Sequence, residues 1–503
     1  MFRKILVANR GEIALRVLRA CRELGVATVA VYSQPDRMAR HVRYADEAYP
    51  LGPAPAAESY LRGDSIIRIA AQSGAEAIHP GYGFLAESAD FVEACEQAGI
   101  VFIGPGSRAM RLLGSKTAAR ATMRAAGVPV IPGGERACAD ADEAEREARS
   151  VGFPVMLKAV AGGGGKGMRV VGSPAELASA FSHAQGEALS AFGDSAVYVE
   201  KAIEHPRHVE FQILADGHGN VVHLFERECS IQRRHQKLVE ESPCVVMTPE
   251  LRERMGAIAV KAALVSGYVN AGTVEFLLDG NGDFYFLEVN ARLQVEHPVT
   301  ELVTGLDLVK AQLHIAAGGP LGIRQADLVQ RGAAIECRIC AEDPSQDFFP
   351  SSGRVEGVVE PSGPGVRLDS SLEHGQEVSL HYDPLLAKLV VWGSDREEAI
   401  ARMGRALDEF RIRGIATTIP FHRRVMADHH FAQGDFDTGY VERYVADAST
   451  PMGAEVRWAA VLAAIHVHRD GATSSFRRAG RPEPAADPWK AAARSGARRP
   501  ADG

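Results

Sequence analysis

Between Leu287 and Glu296 every odd position is apolar (Leu287, Val289, Ala291, Leu293, Val295) and every even one is polar or charged (Glu288, Asn290, Arg292, Gln294, Glu296). A two-residue period belongs to an extended segment with one buried face, so five polar side chains line one side. Alone, such a run is usually the wet outer face of a sheet. Upstream, however, Thr273–Leu278 is a second apolar run, and Asn281-Gly282 between the two is the favoured two-residue hairpin turn. Counting outward from it pairs Leu278 with Tyr285 and Glu275 with Glu288. Directly opposed carboxylates destabilise a hairpin unless a cation lies between them. The oxygen-only set Glu275, Glu288 and Asn290 therefore points to Mg²⁺, which typically bridges carboxylates to substrate phosphates. At ~3.3 Å per residue a straight strand would separate Glu288 from Glu296 by roughly 26 Å, so one reaction centre requires the segment to bend after its first few residues.

With 503 residues, 46% of them hydrophobic, the chain can bury a large core in two to four domains. A formal net charge of −8 gives no electrostatic case for nucleic acid or an anionic membrane as partner. The apolar run after Met1 is too short for a signal peptide and nothing later reads as a membrane span, so the cytosol is the expected compartment. Seven scattered cysteines read as reduced thiols; only Cys337 and Cys340 have C-x-x-C spacing, with no second Cys/His pair to make a zinc site.

Residues 3–8, 27–32, 77–78 and 100–103 read as strands, and 11–24, 63–73 and 88–98 as helices, which predicts a doubly wound α/β domain over 1–115. No G-x-G-x-x-G follows its first strand, but His79-Pro80-Gly81-Tyr82-Gly83 sits after a later one. A linker and small unit, 116–203, holds Lys158 on a strand before Gly162, Gly163, Gly164, Gly165 and Lys166. This is not a Walker A pattern, yet backbone N–H groups and two ammonium groups there could converge on a polyphosphate. Residues 204–330 read as mostly antiparallel and carry His208, Gln232, and a charged cluster whose Arg233, His235 and Lys237 would project the same way if extended. Residues 331–446 predict another α/β module, with a strand at 388–392 and a helix over 396–410. The Ala/Gly/Pro/Arg-rich tail, 447–503, reads as disordered.

Together the segments NRGEIALRVLRA, HPGYGFLAES, KAVAGGGGKGMRVV, ERECSIQRRHQKLVEESP, FYFLEVNARLQVEHPVTE and ECRICAEDP closely resemble biotin carboxylase, the ATP-grasp component of biotin-dependent carboxylases, and most of all the subunits serving acyl-CoA carboxylases. The resemblance spans residue 1 to about 446. It implies an ATP-grasp fold preceded by the Rossmann-like domain and followed by a biotin carboxylase C-terminal module. Carried over position by position, Lys116, Lys158, Gly162 to Gly165, His208, Gln232 and His235 match nucleotide contacts, and Glu200, Lys201, Ile203 and Leu277 match positions around the adenine. Glu275 and Glu288 match metal ligands for Mg²⁺ or Mn²⁺, with Asn290 beside them. Lys237, Arg292, Gln294 and the backbone of Val295 match bicarbonate contacts, Glu296 the general base, and Tyr82 and Arg338 positions near the biotin ring.

The implied activity is ATP-dependent carboxylation of biotin through carboxyphosphate. No Met-Lys-Met biotinylation sequence occurs, so biotin is expected on a carrier protein or domain of another chain. The other expected partners are a second copy of the chain, forming a homodimer, and a separate carboxyltransferase. Two rivals compete: an ATP-grasp ligase acting on another carboxylate, as in carbamoyl-phosphate synthesis, and a silent nucleotide-binding partner. Arg338 with Tyr82 and the R-x-Q-V-E-H run favour bicarbonate and biotin, and the intact charged set argues against silence.

Overall fold

The first 110 residues form a five-stranded parallel sheet in the order β3-β2-β1-β4-β5, with β1 Lys4–Val7, β2 Ala27–Ser33, β3 Glu47–Gly52, β4 Ala77–His79 and β5 Val101–Phe102. Parallel strands buried on both faces read as apolar runs, and Ile5, Leu6 and Val7 are fully buried. The first helix, Gly11–Glu23, packs Ile13, Val17, Leu18 and Cys21 into the core. Before it, Asn9 Nδ2 donates to the carbonyls of Pro80 and Tyr82 at 2.7 and 2.8 Å, tying the turn after β1 to the turn after β4. Gly81 lies over that amide at φ +65°, where a Cβ would meet Nδ2 at 2.9 Å.

The computed structural model describes residues 1–134, 136–160 and 167–445; the Gly162 to Gly165 loop and the 447–503 tail lie outside the described residues. A three-stranded antiparallel unit follows the first domain: β6 Val155–Ala159 is central, flanked by β7 Met168–Val171 and β8 Val197–Lys201.

The largest element is an eight-stranded antiparallel sheet. It takes in β9 Arg207–Ala215, β10 Val221–Arg233, β11 Gln236–Ser242, β12 Asn270–Leu278, β13 Phe284–Asn290, β14 Ala333–Cys340 and the strands Val366–Ser370 and Leu385–Gly393. It runs without interruption from residues 207–290 into residues 333–393, because β11 pairs with β14 (Val239 opposite Cys337). Apolar residues of β9, β12 and β13 (Val209, Phe211, Val274, Phe276, Val289) pack against the helix Pro249–Ser266. Met403, Leu407 and Phe421, from the helices Arg396–Glu409 and Ile419–Ala427, pack under Cys337, Ile339 and Leu389. The sheet's other face, free of these helices, carries the charged side chains described next.

Candidate active site

Register puts a row of charges on adjacent strands. Glu288 of β13 pairs with Glu275 of β12, Glu275 with Glu210 of β9, and Glu210 with Arg227 of β10. The Glu275–Glu288 pairing is the predicted one, reached differently. The turn is a three-residue loop closed by Asp279 N–H to the Asp283 carbonyl at 2.9 Å. Leu278 therefore faces Phe284, not Tyr285, and a bulge at Leu287 restores the predicted register before Glu275.

Lys237 enters this row from β11. Its ammonium lies 2.5 Å from Glu210 Oε2, 2.8 Å from Glu275 Oε1 and 2.7 Å from Glu296 Oε1. Burial opposes the ammonium's charge, but the three carboxylates outweigh it and hold its pKa well above the usual range. Arg227, fully buried, takes the other Glu210 oxygen at 2.6 Å and donates to Gln212, Thr300 and Thr273. Glu296 is grasped from both sides, its second oxygen accepting from Arg338 Nη2 at 2.9 Å. Burial alone would raise the Glu296 pKa; Lys237, Arg338 and Arg227 hold it well below the usual carboxylate range. Arg338 is in turn fixed by Glu240, 2.5 Å from its Nε.

The predicted bend follows Asn290, where β13 ends, and the helix His297–Thr304 begins at the residue after Glu296. Within the bend Arg292 donates to Gln294 Oε1 at 2.7 Å and Asn290 Oδ1 at 2.8 Å. Glu87, from the first domain, accepts from the Ala291 amide at 3.1 Å and from Arg292 Nε at 3.0 Å. Asn290 and Gln294 both donate to Glu275 Oε1, at 2.8 and 3.0 Å, and His208 Nε2 lies 2.9 Å from Glu275 Oε2. Arg292, Gln294, Glu275, Lys237, Glu296 and Arg338 are thus joined in one run of contacts; the resemblance matches Lys237, Arg292, Gln294 and Glu296 to bicarbonate and Arg338 to biotin.

Glu275, Glu288 and Asn290 offer hard oxygen donors, the set that suits a Mg²⁺-sized cation. Glu288 makes no ion pair among the described residues, and burial and the Glu275 charge push its carboxyl up. That is the electrostatic condition a cation would relieve. His208, Glu210 and Glu275 also bring ligand atoms within 4.8 Å of one another, as do Glu210, Cys229 and Glu296. Each of these clusters includes a nitrogen or sulfur ligand and the Glu210 carboxylate that Arg227 and Lys237 already hold, so the all-oxygen set Glu275, Glu288 and Asn290 suits Mg²⁺ better.

In the three-stranded unit, Glu200 of β8 is buried between Lys158 of β6 at 2.5 Å and Arg120 at 2.7 Å. Lys116, Arg120 and Arg124, on one face of the helix Lys116–Ala125, line a cavity of about 320 Å³ with Tyr198. Lys201 donates to the carbonyls of Gly152 and Phe153, fixing the end of β8. Leu277 faces His208 across strands, and Ile203 is half-buried just beyond β8.

The common projection of Arg233, His235 and Lys237 does not hold. Arg234 and His235 form a two-residue turn with φ +49° and +64°, and Arg233 pairs with Gln236. Arg233 therefore reaches Asp347, His235 is exposed on the turn, and Lys237 is the one of the three that reaches Glu210, Glu275 and Glu296. Four partners escaped the sequence reading: Glu210, Arg227, Glu240 and Glu87. Glu210 carried a signal, since it shares the phase of His208 and Gln212 on an otherwise apolar strand; Glu87 and Glu240 had none.

Residues 1–110 match the family model of the biotin carboxylase N-terminal domain, 115–324 that of the carbamoyl-phosphate synthase L chain ATP binding domain, and 336–443 that of the biotin carboxylase C-terminal domain. A pyruvate carboxylase subunit of Methanothermobacter thermautotrophicus is 56% identical over 444 residues, covering 88% of this chain and 90% of the relative. Biotin carboxylase of a Nostoc species is 55% identical over 441 residues, covering 88% and 99%. The solved Campylobacter jejuni biotin carboxylase, a complex with β-γ-ATP, superposes with a TM-score of 0.86 at 48% identity, covering 88% of this chain and 99% of that one. The biotin carboxylase domain dimer of Hydrogenobacter thermophilus 2-oxoglutarate carboxylase, bound to MgADP, ADP and bicarbonate, gives 0.85 at 50% identity, covering 88% and 98%. With matching domains at both ends and an ATP binding domain between them, the chain belongs to the biotin carboxylase family of ATP-grasp ligases.

Proposed function

We propose that the protein carboxylates biotin borne on a separate carrier chain, using ATP and bicarbonate and passing through carboxyphosphate. The observation that carries this reading is the buried Glu296 carboxylate grasped between Lys237 and Arg338, with Arg292 and Gln294 linked to it through Glu275 and Lys237. Bicarbonate is a weak nucleophile; Glu296 takes its proton while Lys237 and Arg292 hold the developing charge. A carboxylate with a depressed pKa is a poor base. An arriving anion that draws Lys237 and Arg338 toward itself would raise the basicity of Glu296 when the proton must move.

Lys116, Lys158, His208, Gln232, His235 and the Gly162 to Gly165 loop hold the phosphates of ATP for in-line attack, with Glu200, Lys201, Ile203 and Leu277 around the base. When bound, Mg²⁺ would be held by Glu275, Glu288 and Asn290 and would neutralise the transferring phosphoryl oxygens. Tyr82 and Arg338 orient the biotin ring. The four functional regions are 1–115, 116–203, 204–330 and 331–446.

The partners in this reading are a biotin carrier, a carboxyltransferase and a second copy of this chain, as in the Hydrogenobacter dimer. For the final acceptor we retain an acyl-CoA, the class to which the motif resemblance pointed. Pyruvate and 2-oxoglutarate, for which the Methanothermobacter and Hydrogenobacter relatives are named, are the alternatives a coupled assay with each acceptor would separate. Seven buried cysteines, none in a disulfide, support a reducing compartment such as the cytosol, and no described helix is long and apolar enough to cross a membrane. The test of the function is ATP cleavage with and without bicarbonate and free biotin. Dependence on bicarbonate, stimulated by biotin, is expected; cleavage indifferent to bicarbonate would refute it.

A further inference from the structure

Lys388 lies in the middle of the strand Leu385–Gly393, between Ala387 and Leu389, and is completely buried. A lysine there must be stripped of water, and an apolar side chain of similar volume would fill the place at lower cost. Its contacts show what it provides. The ammonium donates to the Val295 carbonyl at 3.0 Å, and lies 3.4 Å from Glu12 Oε2 and 3.8 Å from Asp369 Oδ2. The Tyr82 ring centroid is 5.7 Å away.

Four parts of the chain meet here: the first helix through Glu12, the turn after β4 through Tyr82, the strand Val366–Ser370 through Asp369, and the bend before Glu296 through Val295. Asp369 is already held by Arg367 at 2.8 Å. Glu12, by contrast, is buried with neither oxygen hydrogen-bonded, as is Glu336 of β14, and Lys388 is the leading opposite charge on both; of the two, Glu12 lies within ion-pair distance, at 3.4 Å. The glutamate of the NRGE motif, which the site chemistry does not use, is thus what makes a buried ammonium tolerable at this point.

The peptide unit is planar, so the carbonyl of Val295 and the N–H and Cα of Glu296 move as one body. Fixing that oxygen fixes the point from which the Glu296 side chain reaches Lys237 and Arg338. We propose that Lys388 is a positioning residue for Glu296: its ammonium, balanced by Glu12, pins the Val295 carbonyl and holds the base in register with the two cations that grasp it. This rests on the assignment of Glu296 as the base.

The double substitution Lys388→Met with Glu12→Gln tests it. Removing both charges at nearly constant volume spares the fold the uncompensated Glu12 carboxylate that Lys388→Met alone would leave beside Glu336, yet the Val295 carbonyl loses its donor. The expected result in bicarbonate-dependent ATP cleavage is a fall in kcat of about 10²-fold, the loss a displacement of ~1 Å can cause, with the KM for ATP unchanged within about twofold. Amide hydrogen exchange across residues 293–296 should accelerate in the same variant. A merely structural pair would leave kcat at the wild-type value even where exchange accelerates; wild-type kcat, or wild-type exchange across residues 293–296, overturns the proposal. Wild-type protein without bicarbonate-dependent turnover would instead refute the assigned reaction, and the exchange measurement would still decide whether Lys388 pins the bend.

Discussion

Replacing Lys237 by methionine keeps an unbranched side chain one atom shorter and removes the charge from among Glu210, Glu275 and Glu296, which Lys237 contacts at 2.5, 2.8 and 2.7 Å. Removing one partner of a buried ion pair costs about 3–5 kcal/mol, and three carboxylates that each lose one of their partners place this variant toward ~5 kcal/mol at neutral pH. The pH dependence is the sharper test. Burial opposes ionisation of Glu275 and Glu296, yet Lys237, with His208 beside the first and Arg338 beside the second, holds both well below the usual range. A depressed folded-state pKa gives stability that is present above the unfolded-state value of ~4.3 and is lost only as pH falls through the folded-state value. Without the ammonium, burial and mutual repulsion raise these carboxyls. Their contribution then reverses: it is present at low pH and is lost as pH rises through the new values. Melting temperatures of the two proteins, measured from pH ~8 down to ~5.5, should therefore converge toward the acid end as the variant's carboxyls take up protons. A gap that stays constant with pH would refute the claim that Lys237 neutralises this row.

Glu296→Gln should lower turnover by about 10²–10⁴-fold, the share of a general base, while nucleotide binding measured by calorimetry is retained. ATP with Mg²⁺ should raise the melting temperature more than ATP alone, and Glu288→Gln should abolish the difference; equal shifts in the wild type would remove Glu275 and Glu288 as metal ligands. All seven cysteines are buried, and burial pushes the thiols of Cys21, Cys95 and Cys138 up to about 12. Native protein should thus resist iodoacetamide at pH 8, whereas denatured protein takes up seven labels, counted by mass spectrometry.

Four of the five strands of the first domain were legible because parallel strands are apolar runs and the helices between them are strongly periodic; β3, Glu47–Gly52, was not, since it is only half-buried and carries Glu47 and Pro50 within it. The predicted helix 63–73 is the helix Gly63–Ser73. The facing of Glu275 and Glu288 was also readable, although two opposite one-residue offsets, in the turn and at the bulge, had to cancel for the simple count to succeed. The continuation of the sheet from β11 into β14 was not readable, because a pairing between residues almost a hundred positions apart leaves no local pattern. The turn at Arg234–His235 was hidden for another reason: positive φ there falls on an arginine and a histidine rather than on Gly or Asn. Ion partners such as Glu87 for Arg292 and Glu240 for Arg338 lie on other elements, and nothing in the sequence distinguishes them from surface glutamates.

The central claim is that the pocket around Glu296 joins bicarbonate to biotin at the expense of ATP. Incubating the protein with radiolabelled bicarbonate, ATP, Mg²⁺ and free biotin, then separating biotin and acidifying, tests it directly. Acid-labile label on biotin that requires ATP and disappears in Glu296→Gln is the predicted result. Bicarbonate-dependent ATP cleavage with no label on biotin would contradict it.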